Sequence, residues 1–560
     1  MLCMEFEITT HLAREVKKKN PECTIIFGGP QIPDLSPDFF KENPFVDIIV
    51  HGEGEYVFEE ILRAYLKDKD YSQIKGVETK NFRTAPQERI NNLDELPSAY
   101  LTNTVWELVD KVDGIKWISS WETNRGCPYS CSFCDQQDLY YNKIAMFDYD
   151  RVIGEIDWIV KNKIDFLYFG DSNVGMFNRD VDFIRHIAKC RNETGYPRQI
   201  DYSTAKQQPK RIVELGEILN KEAKIRRGVT IALQSMNTKT LKAIKRINLA
   251  NEKLEQIVGD YNKAGVDNYC ELIVGLPEET LDTWIKGIGK ILELGSDHAL
   301  TVHPLSIVPN TPFSDPEYKN KYGYKYTKTA APAGGNTYPK DSNGEIDYVA
   351  YESKSYSKQD YIDMYFFAKG LVIPHHYHGV SQVAATYLKR EHNVPFIDFY
   401  KKLFEYSRNG NGILNEEYKN HTNSLKQSLF EDKTWGRTIE GGDDFHIQDN
   451  GATASFLYRN IDKVHKEVID ICKKEYNVDV SEACQFNKHI IDTYERDNIE
   501  KQFNKNWYSW FFDLDQLISV NNIVSVTVYK YKDIVDHSKH LFWWGRKAKR
   551  CFLKSKEIML

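Results

Sequence analysis

Between Ile115 and Pro312, short apolar runs alternate with amphipathic helical patterns, and this alternation restricts the fold of the 560-residue chain more than any other feature. The spacing predicts strands at Lys116–Trp121, Phe166–Phe169, Gln199–Ser203, Val229–Leu233, Tyr269–Val274 and Ala299–His303. Helices such as Tyr149–Lys161, Asp180–Arg191, Pro209–Asn220 and Glu279–Leu294 fall between them. Six successive βα units imply a parallel sheet flanked by helices, open or curled into a partial (β/α)6 barrel. In either form, ligands gather at the carboxyl ends of the strands, so chemistry is sought there.

Immediately after the first of these strands the sequence reads TNRGCPYSCSFCDQQ, placing Cys127, Cys131 and Cys134 at the spacing C-x3-C-x2-C. The other seven of the 10 cysteines are scattered singly. Three thiolates so close together can hold three corners of an iron–sulfur cluster and leave one iron open. An open coordination position is where a substrate or cofactor binds, whereas a closed site is structural. The alternatives are a zinc knot completed by a distant ligand or by Asp135, and an electron-transfer cluster with a fourth cysteine elsewhere.

The motif resembles the signature of the radical S-adenosylmethionine (radical SAM) superfamily, including an aromatic residue, Phe133, just before the last cysteine. The resemblance implies a 4Fe-4S cluster on the three cysteines and S-adenosylmethionine on the open iron. It also implies reductive cleavage to a 5′-deoxyadenosyl radical, an electron donor such as flavodoxin or ferredoxin, and a small-molecule substrate. Secondary motifs follow in family order at successive strand ends. Gly170, Asp171 and Ser172 correspond to the Gly and acidic motif that binds the cofactor's amino group. Ser203 and Lys206 suit its ribose and carboxylate. Gln234 and Ser235, trailed by Lys245-Arg246, match the Gln/Glu-Ser motif. Gly275, in Gly275-Leu276-Pro277, matches the turn beside the adenine, with Glu271 in place of the first glycine of the wider pattern.

Upstream, two apolar runs end in glycine turns, Phe27-Gly28-Gly29-Pro30 and Gly52-Glu53-Gly54-Glu55, with helical patterns around them. Residues 1–70 resemble the second half of a doubly wound, Rossmann-like cobalamin-binding domain, so Gly28, Gly29, Gly52 and Glu53 are candidate cobalamin contacts. No Asp-x-His-x-x-Gly loop of the cobalt-ligating kind occurs, and the first strands of such a domain are missing from the sequence as read. The expected chain order is this fragment, a polar linker at 71–114, the radical SAM core at 115–312, a turn-rich insertion at 313–357 and a mostly helical domain at 358–560.

Composition narrows the function classes. A formal charge of -7 provides no global field for nucleic acid. Mean hydropathy is -0.55 and no apolar run approaches the roughly 18 residues of a membrane span, so a soluble, cytoplasmic protein with reduced thiols is expected. The function expected is a radical SAM enzyme of the cobalamin-associated group, many of whose members are C-methyltransferases. The alternatives are a cobalamin-independent radical SAM enzyme catalysing rearrangement or oxidation, and a non-catalytic zinc or iron–sulfur module. His303, at the sixth strand end, is read as a satisfied core histidine in preference to a substrate-facing group.

Overall fold

The computed structural model describes residues 6–492, apart from breaks at 35–37, 113, 136–142, 226–227, 250, 265, 267, 296–298, 331–345, 432, 439–445 and 448. It also describes the strand pair Ile499–Gln502 and Ile523–Val526. The chain forms two compact units. The first holds residues up to Leu233, Leu241–Tyr269 and Ser306–Lys321; the second holds Gln234–Thr240, Cys270–Leu305 and the chain from Tyr322 onward.

The first unit begins with helix Phe6–Lys19 and two parallel strands, β1 (Ile26–Gly28) and β2 (Ile48–Val50), in register Phe27↔Ile49. Alternation along β2 sends Ile49 into a cluster with Phe27, Phe39 and Phe45 on one face, and Ile48 and Val50 into a cluster with Val57 and Ile61 on the other. Both faces are covered, as a doubly wound layer requires. A third strand, β3 (Val77–Thr79), pairs antiparallel with β2. It lies in the segment expected to be linker, and three residues between turns are too few to show a period in sequence.

Next come β4 (Ile118–Trp121), a short ladder of β5 (Asn124–Arg125) with β6 (Ala145–Met146), then β7 (Phe166–Phe169), β8 (Gln199–Asp201) and β9 (Val229–Gln234). β4, β7 and β8 form a parallel sheet in register Ser119↔Leu167 and Leu167↔Ile200. The crossover helix Tyr149–Lys161 is capped by the Asp148 carboxylate, which accepts from the amides of Asp150 and Arg151, and it buries Val152, Ile156, Ile159 and Val160. The second crossover helix, Asn178–Thr194, stops at the left-handed Gly195.

In the second unit, β10 (Asn268–Val274) and β11 (Ala299–Pro304) are drawn into a core with the following helices. The Trp284 indole donates to Met364 O at 2.8 Å, and Ala350 N donates to Leu305 O at 3.0 Å. The compact units therefore divide the sixfold alternation of 115–312, which sequence had read as one domain. The expected insertion contains a hairpin, β12 (Lys325–Ala330) with β13 (Ile346–Glu352), its connection lying outside the described residues. From Lys358 to Asp492 the described residues are mostly helical, with one short strand pair, Arg437–Thr438 and His446–Ile447. Among the described residues no helix is long and apolar enough to cross a membrane.

Candidate functional site

The cysteine loop starts two residues past β5 and is held by long-range hydrogen bonds. Asp171, just after β7, is 1% exposed and turned into the protein. Its carboxylate accepts from Thr123 Oγ1 at 2.6 Å, Thr123 N at 3.0 Å and Asn124 N at 2.9 Å, and also from the Asn124 amide group. Desolvation, with a smaller contribution from Asp180, raises its pKa to about 7 against the pull of the Thr123 and Asn124 donors. In this structure Asp171 anchors the approach to the cysteine loop and does not present a free carboxylate to a cofactor amine. Its neighbour Gly170 fits where a Cβ would come within 3.1 Å of Glu122 Cγ.

Cys127 and Cys131 are buried, and Cys134 and Phe133 are half-buried. Ser132 N donates to Ile244 O at 3.0 Å, tying the middle of the loop to the segment before Lys245-Arg246. Two donors address the sulfurs: Asn173 Nδ2 stands 3.2 Å from Cys127 Sγ, and Arg246 Nη1 stands 3.8 Å from Cys131 Sγ. Arg246 is aimed by Asn248 Oδ1, which accepts from its Nε at 3.1 Å, and by Ala232 O. Lys206 Nζ lies 5.1 Å above the Tyr129 ring. Desolvation and the Arg246 charge lower its pKa while the three cysteines work to raise it. Ser203 remains exposed, and its carbonyl accepts from Val174 N.

Thiolate donors surrounded by N–H groups and two cations suit a negatively charged iron–sulfur cluster. Among the described residues the one trio of metal-ligating atoms within 4.8 Å of one another is that of Asp157, His186 and Cys190.

The N-terminal glycines line a groove of about 590 Å³ with Phe27, Val50 and Phe58. It opens at the carboxyl ends of β1 and β2, the ligand position of doubly wound sheets. Gly29 at φ 96° and Gly52 at φ 87° use backbone conformations that side chains disfavour, so bare backbone faces the groove. Gly28 adds to this, since a Cβ there would meet only Val50, at 3.5 Å. Glu53 plays a different part: its buried carboxylate accepts from Ile90 N at 2.6 Å and pairs with Arg125 Nη1 at 3.0 Å. Arg125 also reaches Glu55 at 2.9 Å and Glu122 at 3.0 Å; burial opposes its charge, but the three carboxylates outweigh this and raise its pKa.

Gln234, Ser235 and Gly275 belong to the second unit. Gln234 adopts φ 65° at the end of β9. The Ser235 hydroxyl donates to the buried carboxylate of Glu279 at 2.5 Å. Gly275 is required by packing, because a Cβ there would come within 3.1 Å of the Tyr361 ring and 3.3 Å of Ala350 O. Sequence reasoning did not single out Asn173 or Tyr129, and it treated Arg246 only as half of a basic pair. Asn173 directly follows Gly170, Asp171 and Ser172 in sequence, and that position was the available signal.

Residues 121–288 match the family model of the radical SAM superfamily. Over 402 residues the chain is 32% identical to 2-(S-pantetheinyl)-carbapenam-3-carboxylate methyltransferase of Streptantibioticus cattleyicolor, covering 70% of this chain and 59% of that protein. It is 31% identical over 402 residues to the cobalamin-dependent radical SAM methyltransferase TokK of Streptomyces tokunonensis, again covering 70% and 59%. The chain thus spans 59% of the length of each relative. A loose structural likeness, at 15% identity and TM-score 0.48, covers 87% of this chain and 73% of the cobalamin-dependent S-adenosylmethionine radical enzyme OxsB.

Proposed function

We propose that this chain is a cobalamin-dependent radical SAM methyltransferase acting on a small molecule. The observation that carries the reading is the cysteine trio at the spacing C-x3-C-x2-C, with Asn173 and Arg246 donating toward two of its sulfurs and Lys206 over the Tyr129 ring beside them. Its relatives named as methyltransferases support the transfer chemistry, and the glycine-lined groove supports the corrinoid. The proposed architecture is a partial (β/α)6 barrel behind a doubly wound fragment.

Cys127, Cys131 and Cys134 would hold the 4Fe-4S cluster. When bound, the cluster supplies one electron to S-adenosylmethionine and the corrinoid supplies a methyl carrier. The protein's own contributions are positional and electrostatic. Asp171 fixes Thr123 and Asn124, and so sets where the cysteine loop begins. Asn173 and Arg246 take up charge on two of the three sulfurs, and low-dielectric surroundings strengthen both effects. Lys206 and Ser203 would bind the cofactor's carboxylate and ribose hydroxyls. Phe133 and Ser172 complete the proposed cofactor contacts of the first unit. Gly28, Gly29 and Gly52 would receive the corrinoid, with Glu53 bracing that loop against Arg125. A small reductase such as flavodoxin or ferredoxin would deliver the electron.

The test is reduction of the reconstituted protein with S-adenosylmethionine, with and without cobalamin. Release of 5′-deoxyadenosine together with tightly bound corrinoid supports the reading. Deoxyadenosine without corrinoid binding would move the chain to the cobalamin-independent group, and absence of both would refute it.

A further inference from the structure

Within the first unit, three side chains of different ligand chemistry converge where the two crossover helices pack. His186 and Cys190 stand four residues apart on helix Asn178–Thr194, the spacing that puts two side chains on one face. Asp157, on helix Tyr149–Lys161, meets them from the other side. Asp157 Oδ1 lies 2.7 Å from His186 Nε2, and Cys190 Sγ lies 3.7 Å from the same nitrogen. A carboxylate oxygen, an imidazole nitrogen and a sulfur thus all fall within 4.8 Å of one another.

The trio lies apart from the cysteine loop. A crossover helix leaves the carboxyl end of one strand and returns toward the amino end of the next. Asp157 follows Tyr149, the first residue of its helix, by eight positions, which carries it about 12 Å along the axis, away from the strand ends where cofactors gather. An ion pair between Asp157 and His186 explains two of the three groups and, being partly exposed, stabilises little. It leaves the sulfur of Cys190, a residue only 8% exposed, turned toward a nitrogen that the carboxylate already engages. A metal ion engages all three together.

We propose that Asp157, His186 and Cys190 bind a divalent transition-metal ion, zinc in preference to iron, which clamps the two crossover helices. Tetrahedral zinc, with nitrogen and oxygen near 2.0 Å and sulfur near 2.3 Å, sets nitrogen about 3.3 Å from oxygen and about 3.5 Å from sulfur. The observed nitrogen–sulfur distance already agrees. The carboxylate has to move outward by roughly 0.6 Å once a metal replaces the hydrogen bond, and the Asp157 side chain, 58% exposed, has solvent on its outer side. Water from that side completes the fourth position. Among the charges felt at Cys190, Asp157 and Glu193 favour a cation and Lys189 opposes one. A mixed thiolate, imidazole and carboxylate set suits zinc, and Fe2+ stands below Zn2+ in the affinity order for such ligands. An ion held by the folded chain alone stabilises it by mass action.

The test uses the full chain with its cluster reconstituted anaerobically, then dialysed against micromolar zinc. Metal analysis is expected to show one zinc per chain with the iron content unchanged. Zinc-edge X-ray absorption should show one sulfur neighbour near 2.3 Å and nitrogen or oxygen neighbours near 2.0 Å. In competition with a chelator, His186→Gln and Cys190→Ser should each bind zinc about tenfold or more weakly, the loss of one ligand. Zinc should raise the melting temperature of the wild type and not that of Cys190→Ser. The proposal is overturned if no zinc is retained, or if its shell has no sulfur, which marks an adventitious ion only. It is also overturned if the shell has three sulfurs, which places the zinc on the cysteine loop, or if a folded Cys190→Ser binds zinc as the wild type does. The wild-type absorption spectrum decides the matter even if both variants fail to fold. Because the zinc is counted beside the iron and no turnover is read, failure here leaves the methyltransferase reading intact, and failure of that reading leaves this site intact.

Discussion

Arg246 offers the sharpest electrostatic test of the cysteine site. Its guanidinium stands 3.8 Å from Cys131 Sγ and is 6% exposed, so little solvent screens it. At an effective dielectric of 20, a unit charge at that distance is worth about 4 kcal/mol to a charge on the sulfur. The electron added on reduction is spread over the whole cluster, with Lys206 contributing further positive charge, so roughly a third of this value applies. That is about 1.5 kcal/mol, or about 60 mV for a one-electron couple. Arg246→Met should therefore lower the cluster's midpoint potential by roughly 60 mV, because the reduced form loses a nearby cation. Arg246→Lys should recover most of the change. The assay is a redox titration followed by electron paramagnetic resonance, with iron content confirming that both variants carry the cluster. A potential unchanged in a fully loaded Arg246→Met protein, or shifted upward, would refute the reasoning.

Cys131→Ala should abolish 5′-deoxyadenosine release while leaving the circular dichroism spectrum unchanged; surviving release would remove Cys131 from the ligand set. Asp171 has a folded pKa raised to about 7, so the stability it contributes is full below its unfolded value near 4 and is lost as pH rises through about 7. Amide exchange at Thr123 and Asn124 should accordingly show protection that falls, beyond the intrinsic pH effect, between pH 5 and pH 8, and Asp171→Asn should remove that dependence. Gly28→Leu projects a side chain into the groove from a position where its Cβ meets only Val50, so corrinoid affinity should fall about tenfold or more with the melting temperature nearly unchanged. Removing the buried Glu53 carboxylate leaves Ile90 N and the half-buried Arg125 each short of one partner, and Glu53→Leu should destabilise the first unit by about 2 kcal/mol in urea titration.

The features visible in sequence were those with a local period or a fixed spacing. Strand Phe166–Phe169 and helix Tyr149–Lys161 agree residue for residue with the pattern, because each combines a clear apolar repeat with a cap or turn at its boundary. The cysteine trio was visible because its spacing lies within eight residues. The structure differs where partners are distant in the chain. Asp171 binds Thr123, 48 positions earlier, and Ser235 binds Glu279, 44 positions later, so neither role leaves a local trace. Of the pair Lys245-Arg246, only a three-dimensional path shows that Arg246 reaches Cys131. β3 escaped notice because three residues carry no periodicity, and its pairing partner, β2, precedes it across a helix. His303 looked like core because an apolar strand surrounds it, but it is the one exposed residue of β11.

Metal analysis of the oxygen-protected protein tests the central claim most directly. After anaerobic reconstitution the account predicts about four iron and four sulfide per chain, lost together when Cys127, Cys131 and Cys134 are all replaced by alanine. One tightly bound zinc in place of iron, or iron that survives the triple replacement, would contradict it.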